Sequence, residues 1–147
     1  MNTKDIKGVV NMIEKKLTPF EAIGESTLHR LVDTFYDLVA QHPDLAPIFP
    51  NQFTEIARKQ KQFLTQYLGG PSIYTEEHGH PMMRARHLPF PVTPTRAKAW
   101  LSCMTRAMDI IDFHGPLREE LFARLNLTAQ HMINTPDDGE ITGENRD

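Results

Sequence analysis

The chain has one cysteine, one tryptophan and no excess of basic residues among its 147 positions. Because Cys103 is alone, no intramolecular disulfide can form, and a reducing compartment is the simplest expectation. The net charge of −3, with both signs interspersed, gives no basic stripe for nucleic acid. No apolar run approaches the roughly 20 residues of a membrane span, and the first residues lack the pattern of a secretory signal. We therefore expect a cytoplasmic protein without nucleic-acid or membrane partners.

Apolar residues recur instead at helical spacing. One stripe runs from Leu28 to Val39. The helix that carries it is predicted to end at His42-Pro43, and Ser26 is a candidate N-cap at its start. A second lies between Phe53 and Tyr67, before Gly69-Gly70-Pro71. A third opens at Thr93-Pro94, a cap followed by proline at the first helical position, and a fourth follows Gly115-Pro116 and ends before Pro136. No strand alternation competes with them, so the sequence predicts an all-α fold.

The domain boundaries follow from the segments that depart from this pattern. Residues 70–92 are rich in glycine and proline and leave room for at most a short helix between Pro81 and Pro89. Residues 1–18 form an N-terminal extension, and residues 135–147 form an acidic tail predicted to be disordered. One domain is expected at residues 19–134.

Seven histidines raise the question of a metal. His78, His80 and His87 lie in the loop-rich section, but their spacing matches no common zinc pattern, and His78 and His80 flank Gly79 as turn residues do. His87 ends the short Pro81–Pro89 segment. There its Nδ1–H can bond a backbone carbonyl one turn earlier and leave Nε2 for a metal. A histidine satisfied at a helix end is the alternative.

Three polar side chains lie on apolar stripes of separate helices. Gln60 is four residues from both Ile56 and Leu64, Tyr36 is four residues after Val32, and Trp100 lies on the buried face of its helix. A buried polar group without a partner costs a few kcal/mol. Such groups facing one cavity suit a small polar ligand in an apolar pocket, although Gln60 at the wet edge of a wide stripe is the alternative.

At this point the sequence resembles the group II truncated haemoglobins, small globins with a two-over-two helical sandwich around haem. The resemblance covers about 115 of the 147 residues, from 20 to 134, with all motifs in order, and its nearest likeness is to the globins of bacilli and related Gram-positive bacteria. The motifs that carry it are FEAIGE at 20–25, LVDTFYDLVAQHPDLAPIFP at 31–50, ARKQKQFLTQYLGGP at 57–71, YTEEHGHPMMRARHLPFPVT at 74–93, RAKAWLSCM at 96–104 and LTAQHM at 127–132.

The resemblance implies haem b held through its iron by His87, with Tyr36, Gln60 and Trp100 on the ligand side. It implies haem contacts from five apolar side chains and propionate contacts from three polar ones. The apolar set is Phe35, Phe49, Phe63, Leu64 and Met83, and the polar set is Lys59, Tyr74 and Arg86. The resemblance also implies that the Gly69-Gly70 pair is a hinge. Ile56 is assigned to the same ligand side, four residues before Gln60, and is a departure, because many members carry a small or hydroxyl-bearing residue there. A bulky side chain at this position contributes no hydrogen bond and is expected to narrow the usual ligand entry path.

The function that the resemblance implies is reversible, high-affinity binding of dioxygen and other diatomic ligands at pentacoordinate iron. One alternative is a haem-dependent redox enzyme acting on peroxide, nitric oxide or sulfide with an external reductase or other electron donor. Another is a ligand sensor or binding module. The expected state is a monomer, with a dimer as the alternative.

Overall fold

The computed structural model describes residues 17–48, 53–82 and 91–137, and every regular element in those ranges is helical. The prediction of an all-α fold is confirmed. The described part of the chain contains six α-helices and one 3₁₀ turn, Ala46–Ile48. The helices are α1 (Pro19–Ile23), α2 (Glu25–Gln41), α3 (Phe53–Tyr67), α4 (Ile73–His78), α5 (Pro94–Ile110) and α6 (Pro116–Met132).

The four long helices end where local signals predict, with one correction. The Thr93 hydroxyl accepts from the backbone N–H of Arg96 at 3.1 Å, and Pro94 fills the first turn of α5. Helix α2 ends at Gln41, immediately before His42-Pro43. The prediction that Ser26 caps α2 is wrong. Gly24, with φ of 91°, occupies the N-cap, and the helix begins at Glu25.

Two short helices were not predicted. Thr18 and Glu21 form a reciprocal capping box at the start of α1, whose five residues are too few to show a periodic stripe. Helix α4 lies inside the loop-rich section. It is tied to α3 by Gln66, whose amide accepts from the backbone N–H of Thr75 at 2.9 Å and donates to its hydroxyl at 2.7 Å. These contacts are tertiary, so sequence periodicity could not reveal them.

Helix α2 is the centre of the packing. It packs on α3 at one side and on α5 at another, while α5 packs on α6, so that two helix pairs meet through α2 and α5. The stripe predicted for α2 is its buried face, including Leu28, Leu31 and Phe35, each fully buried. Full burial of a side chain of this kind contributes about 1.5–3 kcal/mol. The shared core therefore fixes the rotation of α2, and with it the direction of the residues next to Phe35.

The turn after α3 requires two glycines for different reasons. Gly69 has φ of +94°, a left-handed conformation that side chains disfavour. A Cβ on Gly70 would lie 2.7 Å from Cδ2 of Phe20 and 2.8 Å from the carbonyl oxygen of Thr65. The sharp turn brings the chain back against α3. No described helix has both the length and the apolar character needed to cross a membrane.

Candidate functional site

The predicted ligand-side residues of α2 and α5 meet through one ring. Phe35 is fully buried, and its ring centroid lies 4.9 Å from that of Tyr36 and 5.0 Å from that of Trp100, edge to face in both pairs. Phe53, at the start of α3, brings a further ring to 6.4 Å from Tyr36. The structure therefore brings Phe35, Tyr36 and Trp100 together at the junction of three helices.

The hydroxyl of Tyr36 lies in surroundings that keep it protonated. The side chain is 8% exposed, and burial raises the pKa of the phenol above its ordinary value, because the phenolate would lose its hydration. Tyr36 forms no hydrogen bond within the described part of the chain, where every fully buried side-chain nitrogen or oxygen has a partner. The phenol oxygen therefore borders accessible space and is free to donate to a ligand.

Two other predicted polar groups also lack a hydrogen-bond partner in the described residues. Gln60 is half-buried on α3, and Trp100 is half-buried on α5 with its ring packed against the core. Neither the Gln60 amide nor the indole N–H of Trp100 has a hydrogen-bond partner among residues 17–48, 53–82 and 91–137. Ile56, one turn before Gln60, is half-buried and packs against the same core.

A second aromatic group joins α3 to α4. The ring of Phe63 lies 5.7 Å from that of Tyr74, edge to face, and Tyr74 is 7% exposed with the His78 imidazole 4.8 Å away. Leu64 is fully buried in the core. Of the predicted site residues on α3, Lys59 is the one that is exposed.

His78, the last residue of α4, contributes to the junction between α3 and α4. Nε2 of His78 lies 2.7 Å from Oε2 of Glu77 and 2.7 Å from the side-chain amide of Gln62. Gly79, with φ of 81°, ends α4, as the turn interpretation predicted. No three His, Cys, Asp or Glu side chains within the described ranges gather as metal ligands do.

Four predicted site residues lie outside the described residues: Phe49, Met83, Arg86 and His87. Their assignments stay predictions, as do the acidic tail after residue 137 and the extension before residue 17. The alternative of a zinc site that includes His87 stays a prediction for the same reason.

One residue near Tyr36 was missed. Phe53 was read from the sequence only as a member of an apolar stripe, although its ring is one of those around the phenol. Nothing in the sequence separates Phe53 from the other apolar residues of that stripe, because its contact with Tyr36 arises only when α2 and α3 pack together.

Two helix pairs joined through aromatic contacts, with side chains beside those contacts whose polar groups have no partner in the described ranges, are the arrangement expected of a helical protein of the globin class. The description "Bacterial-like globin" belongs to the family model that matches residues 18–134. The group 2 truncated haemoglobin YjbI of Bacillus subtilis is 70% identical over 116 residues, which cover 79% of this chain and 88% of that protein. The chain belongs to the bacterial-like globin family.

Solved structures show the same likeness. The group II truncated haemoglobin of Bacillus anthracis matches with a TM-score of 0.81 and 70% identity over 82% of this chain and 99% of that one. A structure described as the truncated oxygen-avid haemoglobin of Bacillus subtilis matches with a TM-score of 0.79 and 69% identity, covering 80% of this chain and all of that one. These neighbours are two-over-two globins, which bears out the predicted fold class.

The described residues fit the haem that the family implies. A planar apolar ring system needs aromatic and aliphatic walls, and the half-buried ring of Phe63 leaves part of its surface for such a contact, whereas Phe35 and Leu64 are fully buried behind it in the core. A diatomic ligand needs hydrogen-bond donors that the protein does not already use, and Tyr36 and Trp100 meet that requirement within the described chain.

Proposed function

We propose that the chain binds haem b through His87 and binds dioxygen and other diatomic ligands reversibly, with high affinity, at a pentacoordinate iron. The observation that carries the proposal is the set of three side chains, Tyr36, Gln60 and Trp100, whose polar groups have no partner in the described chain. They come from α2, α3 and α5, and two of them share contacts with Phe35.

Haem, when bound, would supply an iron atom that takes a diatomic ligand. The protein's part would be to offer hydrogen-bond donors to that ligand. The Tyr36 phenol remains protonated because burial raises its pKa, and the indole of Trp100 is a donor only. Dioxygen gains partial negative charge on binding. Each donor then contributes about 1–3 kcal/mol, as expected for hydrogen bonds to charged groups.

These magnitudes favour retention of the ligand over its rapid release. Two donors at about 1.4 kcal/mol each would slow dissociation roughly a hundredfold, since 1.4 kcal/mol corresponds to a factor of ten. A protein with such a site binds oxygen tightly and is a poor oxygen carrier. The name of the Bacillus subtilis neighbour, "oxygen-avid", agrees with this proposal.

The test is an absorption spectrum of the purified protein, supplemented with haemin, in ferric, reduced and carbon monoxide-bound forms. We expect stoichiometric haem uptake and a Soret band that shifts with carbon monoxide in the wild type. In His87→Ala we expect that band to be lost or altered. The matched control is His80→Ala, which removes an exposed histidine of the same section and should leave the spectra unchanged. Absence of haem uptake by the wild type would overturn the proposal, and an unaltered spectrum in His87→Ala would overturn the assignment of the ligand.

A further inference from the structure

Three aromatic side chains form a continuous row from the surface into the region of the predicted haem contacts. Tyr67, near the end of α3, is 39% exposed, and its ring stacks on that of Phe63 with centroids 5.6 Å apart and planes at 22°. The ring of Phe63 also contacts the buried ring of Tyr74 edge to face, with centroids 5.7 Å apart. Phe63 also lies one turn from Gln60, so the row and the ligand side share one face of α3.

Tyr67 is among the few large apolar side chains in the described residues that are more than one-third exposed. Its ring nonetheless keeps a close stacked contact with Phe63 rather than standing alone. An exposed phenol in contact with a ring of the predicted site is the arrangement that one-electron oxidation at a surface needs. Its proton leaves directly to water, and its electron has a short path inward.

We propose that Phe63 and Tyr67 form a path for single electrons, with Tyr67 as the surface site at which phenolic donors reduce the haem protein during reaction with hydrogen peroxide. The inference rests on the proposed haem binding and adds an electron-entry site to it. Tyr67 loses one proton to water and one electron through Phe63, and becomes a phenoxyl radical. A donor phenol then transfers a hydrogen atom to that radical, so Tyr67 is restored and the donor leaves as its own phenoxyl radical.

The overall reaction balances in atoms and electrons. One hydrogen peroxide accepts two electrons and two protons, its O–O bond breaks, and two waters form. Two donor phenols each lose one electron and one proton. Phe63 is not itself oxidised, because its unsubstituted phenyl ring gives up an electron far less readily than the phenol of Tyr67. It supplies only the contact across which the electron passes, and it therefore acts as a positioning residue.

The distribution of tyrosines makes the proposal easy to test. The chain has three tyrosines, and Tyr36 and Tyr74 are 8% and 7% exposed. Only Tyr67 is accessible enough to couple with a second copy. If peroxide is added to the haem-loaded protein without any donor, we expect dityrosine-linked dimers, read by dityrosine fluorescence and located by peptide mass spectrometry at Tyr67. Addition of a phenolic donor should suppress them.

Two variants separate the path from chance oxidation. Tyr67→Phe keeps the stacked ring and should abolish the dimers. Phe63→Leu keeps the exposed phenol but removes the ring beneath it, and we expect a large loss of dimers. If the Phe63→Leu variant does not take up haem, Phe63→Met is used in its place. Dimer formation undiminished in the Phe63 variants would show that the oxidant reaches Tyr67 through solution, which overturns the proposal, as would crosslinks at any residue other than Tyr67.

The haem spectrum is recorded on every sample before peroxide is added. Wild-type protein that takes up no haem would refute the proposed function itself. Protein that takes up haem and binds carbon monoxide, but gives no product at Tyr67, would refute the electron path alone.

Discussion

Phe35 and Trp100 meet edge to face, with ring centroids 5.0 Å apart and planes inclined at 66°. Because Phe35 is fully buried in α2, this contact fixes the indole of α5 against a rigid neighbour. The same phenylalanine contacts Tyr36 from its own helix at 4.9 Å. One core side chain thus sets the positions of two hydrogen-bond donors that belong to different helices.

The first prediction concerns the indole N–H. Trp100→Phe keeps an aromatic ring against Phe35 and removes the donor. We expect the oxygen dissociation rate to rise about tenfold, since a lost hydrogen bond of about 1.4 kcal/mol corresponds to that factor. Stopped-flow oxygen release measures it. Carbon monoxide is the matched control, because it gains less charge and its dissociation should change less. An unchanged oxygen rate would contradict the role given to Trp100.

The second prediction concerns the ring that joins the two donors. Phe35→Ala should lower the free energy of unfolding by about 3–5 kcal/mol, the cost of a cavity in place of a buried aromatic ring. Urea unfolding followed by circular dichroism measures the loss. Leu127→Ala is the control. That side chain is 72% exposed on α6, so the change should stay within about 0.5 kcal/mol. Equal losses in the two variants would show that Phe35 is not a central core residue.

Sequence patterns captured the long helices well, because their signals are local. The α2 stripe of Leu28, Leu31 and Phe35 is the buried face of the helix, and Thr93 caps α5 through its own side chain. Ser26 failed as a cap because Gly24, with its positive φ, turns the chain two residues earlier. Local propensity does not show which of two neighbouring candidates the chain direction selects.

The candidate site was predictable only in part. Tyr36 and Trp100 were found as polar groups on apolar stripes, and their proximity follows from a packing contact that the sequence does not contain. Helix α4 was missed because contacts with α3 hold it. Arg58 on α3 bonds Glu77 on α4 at 2.8 Å, across 19 residues of sequence. Such pairings become visible only when the helices are placed.

The third prediction uses that pairing. Arg58 bonds Glu55 at 2.7 Å and Glu77 at 2.8 Å, and these hydrogen bonds hold the pKa of each carboxyl below its usual range. Such groups contribute stability above the pKa of the unfolded chain, and this stability is lost as the pH falls through the lower folded pKa. In Arg58→Gln we expect both pKa values to rise and the stability lost at acid pH to become smaller.

Carboxyl ¹³C NMR titration measures both pKa values directly. The matched control is Arg124→Gln, which breaks the 2.8 Å pair with Glu120 on α6 and should leave Glu55 and Glu77 unchanged. If the pKa values of Glu55 and Glu77 were the same in Arg58→Gln as in the wild type, the hydrogen bonds from Arg58 would not be the cause of their lowering.

The fourth prediction concerns alkaline pH. Burial raises the pKa of the folded Tyr36 phenol above 10.0, its ordinary value. Above about pH 10 the unfolded chain gives up this proton while the folded chain keeps it, so the free energy of unfolding falls as the pH rises. Tyr36→Phe has no such proton, and its stability should fall less steeply over that range. Urea unfolding at several alkaline pH values checks this, and identical slopes would exclude a buried protonated phenol.

The fifth prediction concerns Ile56, one turn before Gln60 on α3. Its side chain is half-buried and packs on the core, and we expect its branched Cβ to narrow the route of a ligand along that face of the helix. A side chain that acts only as a barrier slows entry and exit by the same factor. In Ile56→Ala we therefore expect the association and dissociation rates of carbon monoxide to rise together, with the equilibrium affinity unchanged.

Two further substitutions distinguish a barrier from a ligand contact. Ile56→Val keeps the branch and loses one methyl group, so both rates should rise less than in the alanine variant. Ile56→Thr has nearly the shape of valine and adds a hydroxyl. If that hydroxyl reaches the ligand, oxygen affinity should increase relative to Ile56→Val while carbon monoxide affinity changes less, because oxygen gains more charge. Flash photolysis and stopped flow give the association and dissociation rates of both oxygen and carbon monoxide. Rates in Ile56→Ala equal to those of the wild type would mean that ligands enter by a route that Ile56 does not border.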